Sequence, residues 1–233
     1  MPDTDSIATR SELSTLVSRV LGLQRPGQRM ILGIAGGPGS GKTTMALGLV
    51  QAINALSVAR GGAQHLAVHL PMDGFHLANA TLDRLGSHNR KGAIDTFDAW
   101  GFTALLQRLL VEVDHIVYAP SFRREVDEGV AGEIAVLPES RIVITEGNYL
   151  LVDEEPWRAT ARLATEIWFC ETTDTERMRR LIDRHERHGS SAEAAEAWAR
   201  TVDGVNARLV DDSRHRAALV ISGEGGVSHS QPG

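Results

Sequence analysis

The sequence predicts an α/β fold: a three-layer sandwich of about five parallel strands with helices on both faces and a helical lid. Three observations predict it. A short apolar run at 30–35 leads into a glycine-rich loop at 36–43, which opens a helical stretch. A second apolar strand at 66–70 follows after about 40 residues, the size of a strand–helix–strand crossover, and crossovers require parallel pairing. Two more apolar runs, 141–145 and 166–171, read as strands buried on both faces.

The elements follow in chain order. Residues 9–24 read as a helix, because Thr9-Arg10-Ser11-Glu12 has the form of a capping box and Leu13, Val17, Val20 and Leu21 recur at helical spacing. Arg25-Pro26-Gly27 ends it. The strand at 30–35 and the glycine loop come next, then a helix to about 57, broken by Gly61-Gly62. The strand at 66–70 ends at Pro71-Met72-Asp73-Gly74-Phe75-His76. Asp98 reads as the cap of a helix with Phe102, Leu105, Leu106 and Leu109 on one face. A short strand at 115–118 ends in Ala119-Pro120, and 132–137 forms a small strand or hairpin arm. The strand at 141–145 ends at Glu146-Gly147. After the strand at 166–171, Thr173-Asp174-Thr175-Glu176 caps an arginine-rich helix. Gly189-Ser190-Ser191 turns into a second helix at 192–200, so the lid spans about 172–205. A last strand at 217–221 precedes a tail, 223–233, whose composition predicts disorder.

The loop Gly36-Gly37-Pro38-Gly39-Ser40-Gly41-Lys42-Thr43 satisfies the pattern G-x-x-x-x-G-K-S/T at every fixed position. Glycines let the backbone curl so that successive N–H groups face phosphate oxygens. Lys42 supplies a charge for the β- and γ-phosphates, and the Thr43 hydroxyl is placed to ligate Mg²⁺. The helix N-terminus that follows, with Thr44, also favours an anion. Because strand and helix flank the motif, it predicts nucleoside triphosphate binding rather than a chance turn.

Bulk properties narrow the class. A length of 233 residues suits one domain with a sizeable core. A net charge of −6 argues against a general nucleic-acid or anionic-membrane binder. The single cysteine, Cys170, lies in the apolar run Ile167-Trp168-Phe169-Cys170 and reads as a buried strand thiol. No apolar stretch reaches about 18 residues, and the acidic start M-P-D-T-D-S lacks a signal-peptide pattern, so the expected setting is a reducing cytoplasm.

Two carboxylates follow strand ends, Asp73 and Glu146, where ligands of parallel sheets bind. One acid suffices to hold Mg²⁺. A second is useful where a nucleophile must be oriented or deprotonated, which points to transfer onto a bound acceptor. Asp73 is the candidate base and Glu146 the acid on the metal or substrate side, although the two roles could be exchanged. Thr43, Asp73 and Glu146 are the metal candidates, partly through water. His76 reads as a hydrogen-bond partner of the acceptor or as a plain loop histidine. Arg90 and Lys91 could bind an acidic acceptor or form a solvated basic pair. Arg123, after a strand end, could reach the substrate. Arg177, Arg180 and Arg184 share one helix face and could close onto a transferring phosphoryl group, with Arg180 in the catalytic set. Asn206 and Arg208 are weaker nucleotide-side candidates.

These motifs resemble the uridine kinase, phosphoribulokinase and bacterial pantothenate kinase superfamily of P-loop kinases. The resemblance rests on G-G-P-G-S-G-K-T-T, P-M-D-G-F-H-L, R-K-G-A-I-D-T-F-D, Y-A-P-S-F-R-R and I-V-I-T-E-G-N-Y-L-L, in the family's order, with the arginine-rich segment at 177–187. It spans residues 10–215, and the branch most resembled is the nucleoside/nucleotide kinase or fructokinase-like one. It implies a P-loop NTPase three-layer sandwich and transfer of the γ-phosphoryl group of ATP, with Mg²⁺, to a hydroxyl of a small molecule. The acceptor would be a sugar, nucleoside or pantothenate-like alcohol. It also implies that Asp73 is the catalytic acid residue after strand two, that Glu146 is its counterpart, that Asn148 and Tyr149 lie on the substrate side, and that Arg177 and Arg180 are lid positions. A homodimer is suggested by the resemblance alone. The chain departs from uridine kinases in having Gly-Phe-His after Asp73, and it lacks the longer C-terminal region of pantothenate kinases, so neither substrate carries over.

Other classes fit less well. A regulatory GTPase would carry an N-K-x-D guanine reader and a transport ATPase an L-S-G-G signature, and the sequence has neither. The alternatives are a kinase of nucleoside monophosphates, which would want more basic charge than Arg90, Lys91 and Arg123 supply, and a non-catalytic nucleotide-binding module.

Overall fold

The computed structural model describes residues 4–187 and 208–223. Helix α1 (Thr4–Leu23) leads into β1 (Met30–Ala35), the glycine loop and α2 (Lys42–Ala59). Strand β2 (Ala67–Pro71) is followed by a 3-10 turn (Met72–Phe75), α3 (Asn79–Leu85) and α4 (Ala99–Val111). Strands β3 (Val117–Arg123) and β4 (Glu128–Val136) precede β5 (Ile142–Gly147), α5 (Trp157–Leu163), β6 (Glu166–Glu171), α6 (Asp174–Arg187) and β7 (Leu219–Ser222).

Five strands form one parallel sheet in the order β2-β5-β1-β6-β7. Strands β1 and β5 are buried at every residue, as central strands covered on both faces must be, which is why they read as unbroken apolar runs. Alternation divides β1 between two cores. Leu32 and Ile34 pack with α1 and α2 through Val17, Val20, Leu49 and Ile53. Ile31 and Ala35 face the opposite side, with Phe102 and Leu106 of α4 and Trp157 of α5. Buried Arg29 fastens the bottom of the sheet. It donates to the carbonyls of Ser140, Leu109, Glu112 and Leu137, so the last carbonyls of α4 find partners. Because β1 lies between β5 and β6, its carboxyl end is a switch point, where a parallel sheet leaves a crevice.

The structure corrects several sequence expectations. Helix α1 begins at Thr4, so Thr9-Arg10-Ser11-Glu12 lies inside it rather than capping it. Strand β5 continues through Glu146 and Gly147, since Glu146 pairs in register with both Ile34 and Pro71. The strand expected at 115–118 runs instead from Val117 to Arg123, in an antiparallel hairpin of β3 and β4 that stands apart from the main sheet. Its register shifts between Ala119 and Ser121, at Pro120. Proline cannot donate to a ladder, and a bulge is where a strand tolerates one. Two seven-residue helices, α3 and α5, were too short to announce themselves by periodicity. The second half of the expected lid (188–205), Asn206 and the tail beyond 223 lie outside the described residues. Among the described residues no helix is long and apolar enough to cross a membrane.

Candidate active site

The glycine loop joins β1 to α2. Ser40 N–H donates to Gly37 O at 3.1 Å, and Met45 N–H donates to Gly41 O at 3.0 Å, which starts the helix. Gly41, at φ 95°, makes the left-handed step into α2. Gly36, at φ 155°, brings the backbone close to β6: a Cβ there would lie 2.5 Å from Cys170 O and 2.7 Å from Ser40 Oγ. Ser40 Oγ itself is buried and has no partner among the described residues. A buried hydroxyl left free inside a curled loop calls for an oxygen-rich ligand, because an unsatisfied one is costly. Cys170 Sγ contacts Ser40 O at 3.4 Å from below. Burial pushes its thiol up to about 11, so it stays protonated. The loop therefore sits on an inert thiol.

Thr43 and Glu146 meet at the foot of the loop. Thr43 Oγ1 donates to Glu146 Oε1 at 3.0 Å. The hydroxyl spends its proton on the carboxylate and keeps its lone pairs for a cation. Glu146 is only 4% exposed. Burial alone would raise its pKa, yet His69, Lys42 and the Thr43 hydroxyl together hold it below the usual carboxylate range. His69 Nε2 lies 3.6 Å from Glu146 Oε1, longer than a hydrogen bond, so its influence is electrostatic. That nitrogen is buried and has no hydrogen-bond partner among the described residues. The sequence reading missed His69. It pairs with Ile144 across β2 and β5, which puts it on the face that carries Glu146. A histidine inside the apolar run 66–70 was the available signal. Lys42 Nζ folds back to Gly37 O at 3.3 Å. Among the described residues no group of three or more His, Cys, Asp or Glu could hold a metal. A hydroxyl and one carboxylate are instead a hard-oxygen pair of the sort Mg²⁺ uses, since it keeps several waters.

Asp73 lies in the 3-10 turn that follows β2, two residues beyond Pro71, whose register partner is Glu146. His76 braces this turn: its backbone N–H and its Nδ1 both approach Asp73 O, at 3.1 and 2.7 Å. A carbonyl only accepts, so Nδ1 carries the proton. The His76 ring makes tilted contacts with Phe97 and Phe122, with centroids 4.1 and 4.6 Å away. Burial lowers its pKa, against the opposing pull of the Asp73 charge, and favours the neutral ring. The hairpin closes on the same turn, because a Cβ on Gly74 would lie 2.4 Å from Pro120 O.

The remaining residues singled out from the sequence are held as follows. Arg90 makes a bidentate pair with Asp95. Lys91 donates to Asn79 Oδ1 and to both the carbonyl and the carboxylate of Asp127, and lies 5.1 Å over the Phe122 ring. Arg123 pairs with Glu133 across the hairpin. Tyr149 is fully buried, its hydroxyl donating to Gly92 O and its ring packing on Phe97 and Trp157, so it belongs to the core. Asn148, next to it, is half-buried. On the loop side, Arg180 donates to Glu176 at 2.7 Å, and its Nη1 lies 3.5 Å from Gly39 O. Arg177 pairs with Asp174. Arg208 is exposed on a helical turn at 208–212.

A parallel sheet, a phosphate loop at its switch point and a paired acid and hydroxyl beneath that loop define a P-loop kinase. Residues 31–222 match the model of the phosphoribulokinase/uridine kinase family, and the chain belongs to that family. It is a phosphotransferase with a hydroxyl acceptor. "Putative uridine kinase C227.14" of Schizosaccharomyces pombe is 35% identical over 217 residues, 91% of this chain and 90% of its own. "ATP-dependent kinase-like protein notR'" of Aspergillus versicolor is 38% identical over 161 residues, 65% of this chain and 94% of its own. Among solved structures, a "putative fructose transport system kinase" from Silicibacter sp. TM1040 superposes with a TM-score of 0.80 at 37% identity, covering 90% of this chain and 98% of that one.

Proposed function

We propose that the protein transfers the γ-phosphoryl group of ATP, as its Mg²⁺ complex, to a hydroxyl of a sugar, nucleoside or pantothenate-like alcohol. The observation that carries this reading is the Thr43–Glu146 pair at the foot of the phosphate loop, with Asp73 at the end of the neighbouring strand. The loop N–H groups, Ser40 Oγ and Lys42 would hold the phosphates, and Arg177 and Arg180 would face them from α6. Thr43 and Glu146 would hold Mg²⁺, with Asp73 near its water shell. The metal would neutralise charge on the phosphate oxygens.

Asp73 orients the acceptor hydroxyl and takes its proton late in the transfer. The acceptor oxygen then bonds to the γ-phosphorus, the bond to the β-phosphate oxygen breaks, and ADP leaves with the electron pair. Arg180 meets the charge that builds on the transferring group. A coupled assay of ADP release over sugars, nucleosides and vitamin alcohols, with Mg²⁺ present, tests the proposal. Acceptor-dependent release is expected. ATP binding without such release for any hydroxyl compound would refute it.

A further inference from the structure

The wall beside Asp73 is built from two elements, the segment 88–97 and the β3–β4 hairpin. A continuous line of contacts ties them to the turn: Asp73 O to His76, His76 to Phe97 and Phe122, Phe122 to Lys91. Four cations belong to this wall: Arg124 is exposed at the hairpin turn, and a carboxylate already holds each of the other three. Arg90 is gripped by both oxygens of Asp95, at 2.9 and 2.7 Å. Lys91, whose side chain is 10% exposed, lies 2.9 Å from Asp127 Oδ2 and also donates to Asn79. Arg123 is paired with Glu133. An anion that recruited any of these three would have to displace its partner and leave that carboxylate unpaired beside it.

The charge count agrees. Residues 88–97 and 117–136 carry five carboxylates against four Lys and Arg, a net charge of −1. The wall therefore has no excess of positive charge to draw an anion in. Its uncommitted surface suits a neutral ligand instead. The half-buried Phe122 and His76 rings, backed by the core residue Phe97, give an apolar surface. With the proton on Nδ1, His76 Nε2 carries the ring's lone pair and can accept from a hydroxyl.

Resting on the kinase reading above, we propose that the acceptor site selects an uncharged polyhydroxy compound, a sugar, polyol or nucleoside, and discriminates against phosphorylated or carboxylated acceptors. The chemistry of the wall thereby separates this chain from kinases of monophosphates and of hydroxy acids.

Matched pairs that differ only in charge test it: panthenol with pantothenate, ribose with ribose 5-phosphate, uridine with uridine monophosphate. Turnover is read as kcat/KM, and binding by calorimetry with Mg·ADP present. Neutral members are expected to lead by at least about 10-fold, the effect of one poorly placed charge. Asp127→Asn then leaves the Lys91 charge uncompensated. Asp127 sits at φ 52°, a conformation that asparagine adopts readily, so the turn survives the change. This variant is expected to shift the ratio toward the anionic member by about 10-fold. Selective binding of neutral members without any turnover would support the inference while refuting the kinase reading. Anionic members leading in binding and turnover would overturn the inference and leave the kinase reading intact. Failure of every neutral member to bind would also overturn it.

Discussion

Thr43 Oγ1 donates a 3.0 Å hydrogen bond to Glu146 Oε1, and this contact joins the first turn of α2 to the end of β5 across 103 positions of sequence. The carboxylate is thereby aimed at the loop before any nucleotide arrives. Its charge is kept by Lys42 and His69 despite burial. These residues sit on a helix N-terminus, the central strand β5 and its neighbour β2, so the pair is built on regular elements.

Replacing Glu146 by glutamine keeps the volume and removes the charge. We expect Glu146→Gln to weaken the dependence on Mg²⁺ by about 10–100-fold, the range typical for groups that orient or tune a metal. Binding of metal-free ATP should hold. A Mg²⁺ titration of initial rates, beside calorimetry in EDTA, separates the two. An unchanged Mg²⁺ requirement would remove Glu146 from the metal side.

Asp73 is held by its backbone, since His76 grips its carbonyl twice, and in the proposed function its carboxylate acts on the acceptor. Asp73→Asn should cut kcat by at least about 100-fold, the usual cost of losing a general base, with ATP affinity nearly intact. Full turnover in this variant would assign the proton to another group. Because Asp73 and Glu146 lie at the ends of adjacent strands, the pair of variants also distinguishes their roles: one changes the metal dependence, the other the chemical step.

Local sequence carried most of the fold and the donor half of the site. The central strands were legible because burial on both faces demands unbroken apolar runs, and the loop because its chemistry fixes residue types at fixed spacing. The acceptor half was legible only as a list of names. Arg90, Lys91 and Arg123 read as available cations, yet their partners Asp95, Asp127 and Glu133 are set by a hairpin and a turn whose pairing no local pattern encodes. His69 was missed for the same reason. It gains meaning only from the register of β2 on β5, which is a tertiary fact. Tyr149 illustrates the opposite error: a motif residue expected at the substrate turned out to be fully buried, holding Gly92 O from the core.

Arg180 reaches the loop from α6, with its Nη1 at 3.5 Å from Gly39 O and its Nε on Glu176. The contact to the carbonyl is weak, so it does little to fix the guanidinium in place. Arg180→Ala should therefore lower kcat by about 10²-fold or more while changing ATP affinity only a few-fold, as expected for a charge that counts mainly in the transition state. Equal losses in kcat and in affinity would make it an ordinary binding residue. Glu176→Gln, which releases the same guanidinium from its partner, should have a milder effect on kcat of the same sign.

Cys170 gives a prediction with a defined pH window. Its thiol is buried under Ser40 and its pKa is raised from 9.0 to about 11. The unfolded thiol ionises as pH rises past 9, while the folded one stays neutral until about 11. The unfolded state is then favoured progressively, so the stability present below pH 9 is lost across that interval. A shift of this size corresponds to about 2–3 kcal/mol. Other groups also titrate there, so the measurement is a difference. Urea denaturation of the wild-type protein and of Cys170→Ala at pH 8 and pH 11 should show the wild type losing about 2–3 kcal/mol more than the variant. In parallel, the native thiol should stay unlabelled by a maleimide at pH 8 and react at once in denaturant. Parallel stability curves together with rapid native labelling would mean that the thiol is exposed and that the loop does not seal it.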